Sequence, residues 1–127
     1  MRDWKPFELA KSVPGTAVMV GHVVVPSIDP VNPASVSRSV VEGTLRQKLG
    51  FNGVVISDDF SMFPIVNRPG GVGKASIDSL LAGVDIVLLS WRPSLYYLAM
   101  AEMLRADAKR EIPKDVLQES ESRLRAR

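Results

Sequence analysis

The chain has 127 residues, of which 46% are hydrophobic and 24% are charged, and its formal net charge is +2. This is the balance of one ordinary globular domain, and the dispersed basic residues do not indicate nucleic-acid binding. The lack of cysteine excludes disulfides and cysteine metal sites. Because no signal-peptide pattern and no apolar run of roughly 20 residues is found, we expect a cytoplasmic protein without a membrane partner.

Three apolar segments are predicted to be strands of a parallel sheet: residues 16–25, 53–57 and 84–90. Each is rich in valine, isoleucine or leucine without polar alternation, which is typical of strands covered on both faces. Two loops rich in residues that break regular structure, 26–33 and 67–73, follow the carboxyl ends of predicted strands. In parallel α/β folds the loops at the carboxyl ends of the strands form the ligand site.

Helical periodicity begins after the first predicted loop. A helix is predicted with Ser37 as its N-cap and Gly50 as its C-terminal stop. Its apolar stripe consists of Val36, Val40, Val41, Leu45 and Leu49. A shorter helix ends at Gly83, a third begins at Pro93, and a charge-rich last helix begins near Pro113.

The second predicted strand ends on two adjacent carboxylates, Asp58 and Asp59. A carboxylate in this position can be a nucleophile, a general base, a metal ligand or a helix cap. Position alone favours capping or local hydrogen bonding of the turn. Asp59 is predicted to point away from Asp58, because neighbouring side chains of a strand face opposite sides.

His22 is the only histidine, and it lies in an apolar run. That setting favours a core residue with one hydrogen-bonded ring nitrogen. One histidine and scattered aspartates supply too few ligands for zinc, so we predict no metal and no cofactor. The run Gly70-Gly-Val-Gly73 lacks the spacing of a dinucleotide fingerprint and the ending of a P-loop. It favours a mobile loop, and a nucleotide-binding domain is an alternative that rests on this run and on fold analogy.

Four stretches of the chain, residues 18–26, 29–37, 49–62 and 82–90, carry a family resemblance, and Ser57-Asp-Asp-Phe-Ser-Met62 is the most specific piece. Together they resemble the catalytic domain of glycoside hydrolase family 3, especially its bacterial β-N-acetylglucosaminidase branch. The resemblance implies retaining hydrolysis of O-glycosidic bonds in β-N-acetylglucosaminide-like substrates. It assigns Asp58 as the nucleophile, which forms a covalent glycosyl-enzyme, and His22 as a residue that lines the sugar pocket.

The resemblance also implies an α/β fold, a partial (β/α)₈ TIM barrel of about three βα units resembling strands six to eight, with a closing C-terminal helix. Residues 1–127 are predicted to be a single segment, the C-terminal portion of a barrel that takes roughly 200 residues or more. The family's sugar-gripping Lys-His segment and its acid/base loop of histidine and aspartate have no counterpart in the sequence. We therefore expect activity to depend on an upstream part.

An open three-stranded piece of a barrel would expose two strand edges and its inner face, and unpaired edges invite association. A non-catalytic remnant or a self-associating interaction module is therefore the alternative function. The expected partners are a carbohydrate substrate and either the missing N-terminal barrel portion or a second copy of the chain.

Overall fold

The structure is a computed structural model that describes residues 4–126. In chain order its elements are α1 (Lys5–Ala10), β1 (Val18–Val20), β2 (Val24–Val25), β3 (Asp29–Pro33), a 3₁₀ turn (Ala34–Val36), a π-helix (Ser39–Lys48), β4 (Val55–Asp59), α2 (Phe63–Val66), α3 (Gly71–Ala82), β5 (Ile86–Leu88), α4 (Pro93–Ala108) and α5 (Lys114–Arg125). The mixed α/β class predicted from the sequence is confirmed.

The main sheet has three parallel strands in the order β1, β4, β5. In its register Val20 is aligned with Ser57, and Ile56 is aligned with Ile86. Since all three strands run in the same direction, their carboxyl ends meet at one edge of the sheet, as predicted. Asp58 and Asp59 lie at that edge.

The prediction of one strand over residues 16–25 is wrong. The chain leaves the main sheet after Val20, and β2 pairs with β3 in a separate antiparallel hairpin that occupies the predicted loop 26–33. The hairpin turn is held by Asp29, whose Oδ1 accepts the backbone N–H groups of Val31 and Asn32 at 3.0 Å each. Hydrogen bonds from the Ser37 hydroxyl and from Asn32 hold the pKa of Asp29 well below its usual range. The valines of residues 23–25 are compatible with an extension of β1 and with the hairpin. The hydrogen bonds of Asp29 at the turn favour the hairpin.

The first predicted helix forms with wider turns than expected, since the Leu49 N–H bonds to the Thr44 carbonyl five residues back. Ser37 Oγ accepts the Val40 N–H at 3.3 Å, which agrees with its predicted capping role. The second of the predicted helices corresponds to α3. It is longer than predicted because its first turn includes Gly71–Gly73 of the predicted loop 67–73. No helix within residues 4–126 has the length and apolarity needed to cross a membrane.

The helices cover one face of the main sheet. Val20 and Val55 on that face pack with Val41 and Leu45 of the π-helix in one core cluster. The opposite face presents one aligned row, Met19, Ile56 and Ile86, in which Met19 is 57% and Ile86 is 39% exposed. The expectation that the strands are covered on both faces is thus wrong for residues 4–126, because an apolar sequence does not specify which element covers it.

A buried ion network joins the helices to the sheet. Asp85 accepts hydrogen bonds from Arg46 and Arg123 at 2.9 Å each, and its carboxylate also accepts the Val55 N–H at the start of β4. Arg46 donates further to the carbonyls of Gly83 and Gly53. The network fastens the π-helix, α5 and the amino ends of β4 and β5 together.

Gly83 ends α3 in a left-handed conformation with φ of +101°. A Cβ atom there would lie 3.2 Å from Arg46 Nε and from Glu42 Oε2. We expect Gly83→Ala to lower the free energy of unfolding by at least about 1–2 kcal/mol, the cost of a left-handed alanine. The matched control is Gly15→Ala, because Gly15 has φ of +77° and open space around its Cβ position. Urea unfolding followed by circular dichroism should show the larger loss at Gly83, and equal losses would contradict the steric argument.

Candidate functional site

The candidate site is built around Asp58. Asp58 lies near the carboxyl end of β4, where the pairing with β5 is irregular between Ile56 and Asp59. Its Oδ1 accepts the Asp59 N–H at 2.8 Å, the local turn bond that position alone favours. No hydrogen bond within residues 4–126 reaches its Oδ2. One carboxylate oxygen is therefore free of protein donors in the described part of the chain.

Gly21 keeps the space beside this oxygen open. Val20 is aligned with Ser57, so the next residues of the two segments, Gly21 and Asp58, face each other. A Cβ atom built on Gly21 would lie 4.0 Å from Asp58 Oδ2, so a longer side chain would occupy the approach to the carboxylate. The absence of a side chain at position 21 leaves room for a ligand atom.

Asp59, in contrast, has hydrogen bonds to both of its carboxylate oxygens. Its Oδ1 accepts hydrogen bonds from the backbone and hydroxyl of Ser61, and its Oδ2 accepts the Ser90 hydroxyl. Burial disfavours ionisation of this carboxyl, but the bonds from Ser61 and Ser90 outweigh that effect and hold its pKa well below the usual range. The hydrogen bonds of the Asp59 carboxylate link the carboxyl end of β4 to the residues that follow β5.

His22 is half-buried, and both of its ring nitrogens are hydrogen-bonded. Its Nε2 lies 2.9 Å from the Asp59 carbonyl, which can only accept, so Nε2 carries the hydrogen. Its Nδ1 lies 2.7 Å from the hydroxyl of the buried Ser35. The ring also meets Phe60 edge-on, with centroids 5.5 Å apart. Two ring nitrogens are bonded where one was predicted, and His22 supports the peptide between Asp59 and Phe60.

The other candidates from the sequence lie away from this cluster. Lys74, next to the glycine run, forms an ion pair with Asp78 at 2.8 Å on its own helix. Gly71 and Gly73 belong to α3, so the expected mobile loop is in part helical. No group of three or more histidines, aspartates or glutamates in residues 4–126 could hold a metal ion.

Sequence reasoning missed the residues that support the two aspartates. Ser35 lies 13 positions from His22, and Ser90 lies 31 positions from Asp59. Serine is common at such turns, so its occurrence alone carries no signal. Only the register of β4 against β5 brings Ser90 to the carboxylate.

The lowered pKa of Asp59 predicts a pH-dependent contribution to stability. An aspartate whose folded pKa lies below its ordinary value of about 4 stabilises the fold above that value, and the contribution is lost as the pH falls through the folded pKa. Asp59→Asn is therefore expected to be less stable than the native chain at pH 7, by a margin that shrinks towards pH 3. Urea midpoints measured at pH 7, 5 and 3 test this. A margin that stays constant with pH would show that Asp59 does not act through its charge.

Comparison with known proteins relates this geometry to a family. Residues 2–126 match the model of the Glycosyl hydrolase family 3 N terminal domain. The chain is similar to a beta-hexosaminidase of Neisseria meningitidis serogroup C, with 39% identity over 93 residues (73% of this chain, 25% of that protein). It is also similar to a beta-hexosaminidase of Xanthomonas oryzae pv. oryzae, with 38% identity over 104 residues (82% and 29%). The chain spans about a quarter of the length of these curated relatives.

Solved structures support the same relationship. The glycoside hydrolase family 3 beta-N-acetylglucosaminidase of Paenibacillus sp. str. FPU-7 superposes with a TM-score of 0.88 at 35% identity, over 94% of this chain and 23% of that one. The beta-N-acetylglucosaminidase of Thermotoga maritima gives a TM-score of 0.86 at 28% identity, over 95% and 27%. The expectation of a C-terminal portion is corrected by the family match, which assigns residues 2–126 to the domain described as N terminal. The chain therefore belongs to glycosyl hydrolase family 3.

Proposed function

We propose that this chain carries the nucleophile of a retaining glycoside hydrolase that acts on β-N-acetylglucosaminide-like substrates, and that the nucleophile is Asp58. The observation that carries the proposal is the Asp58 Oδ2 atom, which accepts no hydrogen bond from residues 4–126 and faces Gly21 at the carboxyl edge of the sheet. The named activities of the beta-hexosaminidase and beta-N-acetylglucosaminidase relatives support the substrate class.

The chemistry follows from that arrangement. Asp58 Oδ2 attacks the anomeric carbon, the bond from that carbon to the leaving-group oxygen breaks, and a glycosyl ester forms on Asp58. The departing oxygen takes up a proton. Water then attacks the anomeric carbon and gives up a proton to the group that protonated the departing oxygen, the ester bond breaks, and the sugar leaves with its original configuration. The Asp58 carboxylate is restored, so no cofactor is consumed.

The proton donor is not evident among the described residues. Asp59 is held ionised by Ser61 and Ser90, and both ring nitrogens of His22 are already hydrogen-bonded. We infer that the acid/base group comes from a part of the active domain that lies outside this chain. This agrees with the quarter of the relatives' length that the chain spans.

We assign His22 to the wall of the sugar pocket. The Nε2–H group of His22 supports the Asp59 carbonyl, and its ring contacts the Phe60 ring edge-on. In this role it contributes a fixed surface and positions Asp58, and it does not transfer protons. The uncovered row Met19, Ile56 and Ile86 supports a partial (β/α)₈ barrel, formed by residues 1–127 as one segment, with this row on its inner face.

The proposal can be tested by trapping the covalent glycosyl-enzyme with a substrate whose leaving group does not need an acid group. A fluorinated N-acetylglucosaminyl fluoride has a leaving group that needs no protonation, and its ring fluorine slows hydrolysis of the ester. The native chain is measured alone and after mixing with the part of the Paenibacillus relative that this chain does not match. Intact mass spectrometry should show one added sugar, and peptide mapping should place it on Asp58. No adduct in either sample, or an adduct on Asp59, would overturn the assignment.

The uncovered face also supports the second candidate, a self-associating interaction module. Met19 and Ile86 are large exposed apolar side chains in one row, and β1 and β5 are the edge strands of the sheet. The average mass from light scattering should then rise with concentration, and Met19→Lys should reduce the rise. A constant monomer mass up to high concentration would remove this candidate.

A further inference from the structure

We propose that Trp91 is a sugar-stacking residue of the Asp58 site. The inference rests on the proposed function and adds a binding residue to it. It would make the indole ring a platform for a pyranose ring of the substrate.

The backbone of Trp91 is fastened to the site. Its N–H donates to Ser61 Oγ at 3.3 Å, and Ser61 itself bonds to Asp59. The preceding residue, Ser90, donates its hydroxyl to the same carboxylate. Two successive residues after β5 are therefore held against the turn that begins at Asp58, at the carboxyl edge of the sheet.

The side chain of Trp91 is not explained by packing. Trp91 is 80% exposed, the largest exposed fraction among the large hydrophobic residues that the structure describes. Leu89 and Leu95, on either side of it in the sequence, pack against the core cluster of Phe60 and Ile65. Tryptophan is costly to leave in water, and its position on a fastened connection indicates a ligand contact.

A pyranose ring is a suitable ligand for this side chain. One face of the ring presents C–H bonds, which are apolar and slightly positive and therefore match the negative face of an aromatic π-system. The hydroxyl groups of the sugar point outwards and stay in water, so a rim residue can bind it without burying polar groups. A backbone already held by Ser61 also reduces the ordering cost of binding.

Fluorescence can isolate this residue, because the chain has only two tryptophans. The other, Trp4, packs against the core cluster of Val41 and Leu45. In a Trp4→Phe chain, Trp91 is the sole tryptophan. Titration with N,N′-diacetylchitobiose should give a saturable change of emission in that chain and none in Trp91→Phe. Sucrose at the same concentrations is the control for bulk solvent effects.

Ligand-observed NMR measures the affinity independently of tryptophan. Trp91→Ala should weaken chitobiose binding about 2- to 10-fold relative to the native chain, the range expected for one aromatic stacking contact. Trp91→Phe, which keeps an aromatic ring, should retain most of the affinity. The matched control is Phe7→Ala, since Phe7 is a half-exposed aromatic on α1, outside the connections that follow β4 and β5.

The outcomes separate this inference from the proposed function. Equal affinity in the native and Trp91→Ala chains would overturn the role of Trp91 and leave the nucleophile assignment intact. A Trp91-dependent affinity without any sugar adduct on Asp58 would support the stacking role and contradict the proposed catalysis. No binding of chitobiose to the native chain would overturn the stacking role.

Discussion

Replacing Asp58 by asparagine is expected to lower the rate of N-acetylglucosaminide hydrolysis by roughly 10⁴-fold or more, the scale of loss when a catalytic nucleophile is removed. Asparagine keeps the shape of the side chain and its hydrogen bond from the Asp59 N–H. The amide oxygen of asparagine is a poor nucleophile, so the covalent intermediate does not form. The measurement is the rate of nitrophenol release from a nitrophenyl substrate. It is made on the native and Asp58→Asn chains, each mixed with the part of a relative that this chain does not match.

Rescue of an Asp58→Ala variant by azide distinguishes a nucleophile from a residue with a structural role only. Azide fits the space of the missing carboxylate and can attack the anomeric carbon in its place, so that the bond to the leaving group breaks and a glycosyl azide of inverted configuration forms. We expect azide to restore turnover of the nitrophenyl substrate and to yield this product. The control is Asp59→Ala. In the native chain the Asp59 carboxylate is bound to Ser61 and Ser90, so we expect this variant to form no glycosyl azide. Full activity of Asp58→Asn would refute the nucleophile role.

Replacing Asp85 by alanine is expected to lower the free energy of unfolding by about 3–5 kcal/mol, the range for removal of one partner from a buried ion pair. The side chain of Asp85 is fully buried, and that of Arg46 is 8% exposed. The substitution leaves Arg46 buried without its carboxylate, and the Val55 N–H loses its acceptor. Urea unfolding of the native and variant chains, followed by circular dichroism, measures the loss.

The matched control is Glu102→Ala on α4. Glu102 pairs with Arg105 at 2.7 Å, but both side chains are about half exposed, so its removal should change the free energy of unfolding far less than removal of Asp85. Arg123→Met, which keeps much of the side-chain volume while removing one donor to Asp85, should fall between the two. Similar losses for Asp85→Ala and Glu102→Ala would show that the buried network does not stabilise the fold.

Local sequence signals predict most of the helices and the approximate positions of β1, β4 and β5, the strands of the main sheet. Pro93 begins a helix because proline suits a first helical turn, and Gly83 ends one because glycine adopts a left-handed conformation readily. The Ser-Asp-Asp motif likewise places Asp58 at a strand end. These features depend on neighbours within a few residues, so the sequence alone is sufficient to predict them.

Sequence reasoning failed where two different packings suit the same local pattern. The valines of residues 16–25 are compatible with one long strand, but the chain turns at Gly21 and His22 and forms the β2–β3 hairpin. The uncovered face of the main sheet is as apolar as a covered face. Neither outcome can be predicted from hydrophobicity, because burial depends on which other segments reach that surface.

The sequence by itself determined that a carboxylate would end a buried strand, and its motif related that carboxylate to a glycosidase family. Only the tertiary structure decided which residues surround it. The register of β1 against β4 sets Gly21 opposite Asp58, and the β4–β5 pairing brings Ser90 and Trp91 to the same edge. These contacts join residues at least 30 positions apart. They form because strand pairing aligns the carboxyl ends of parallel strands, which no local pattern of side chains specifies.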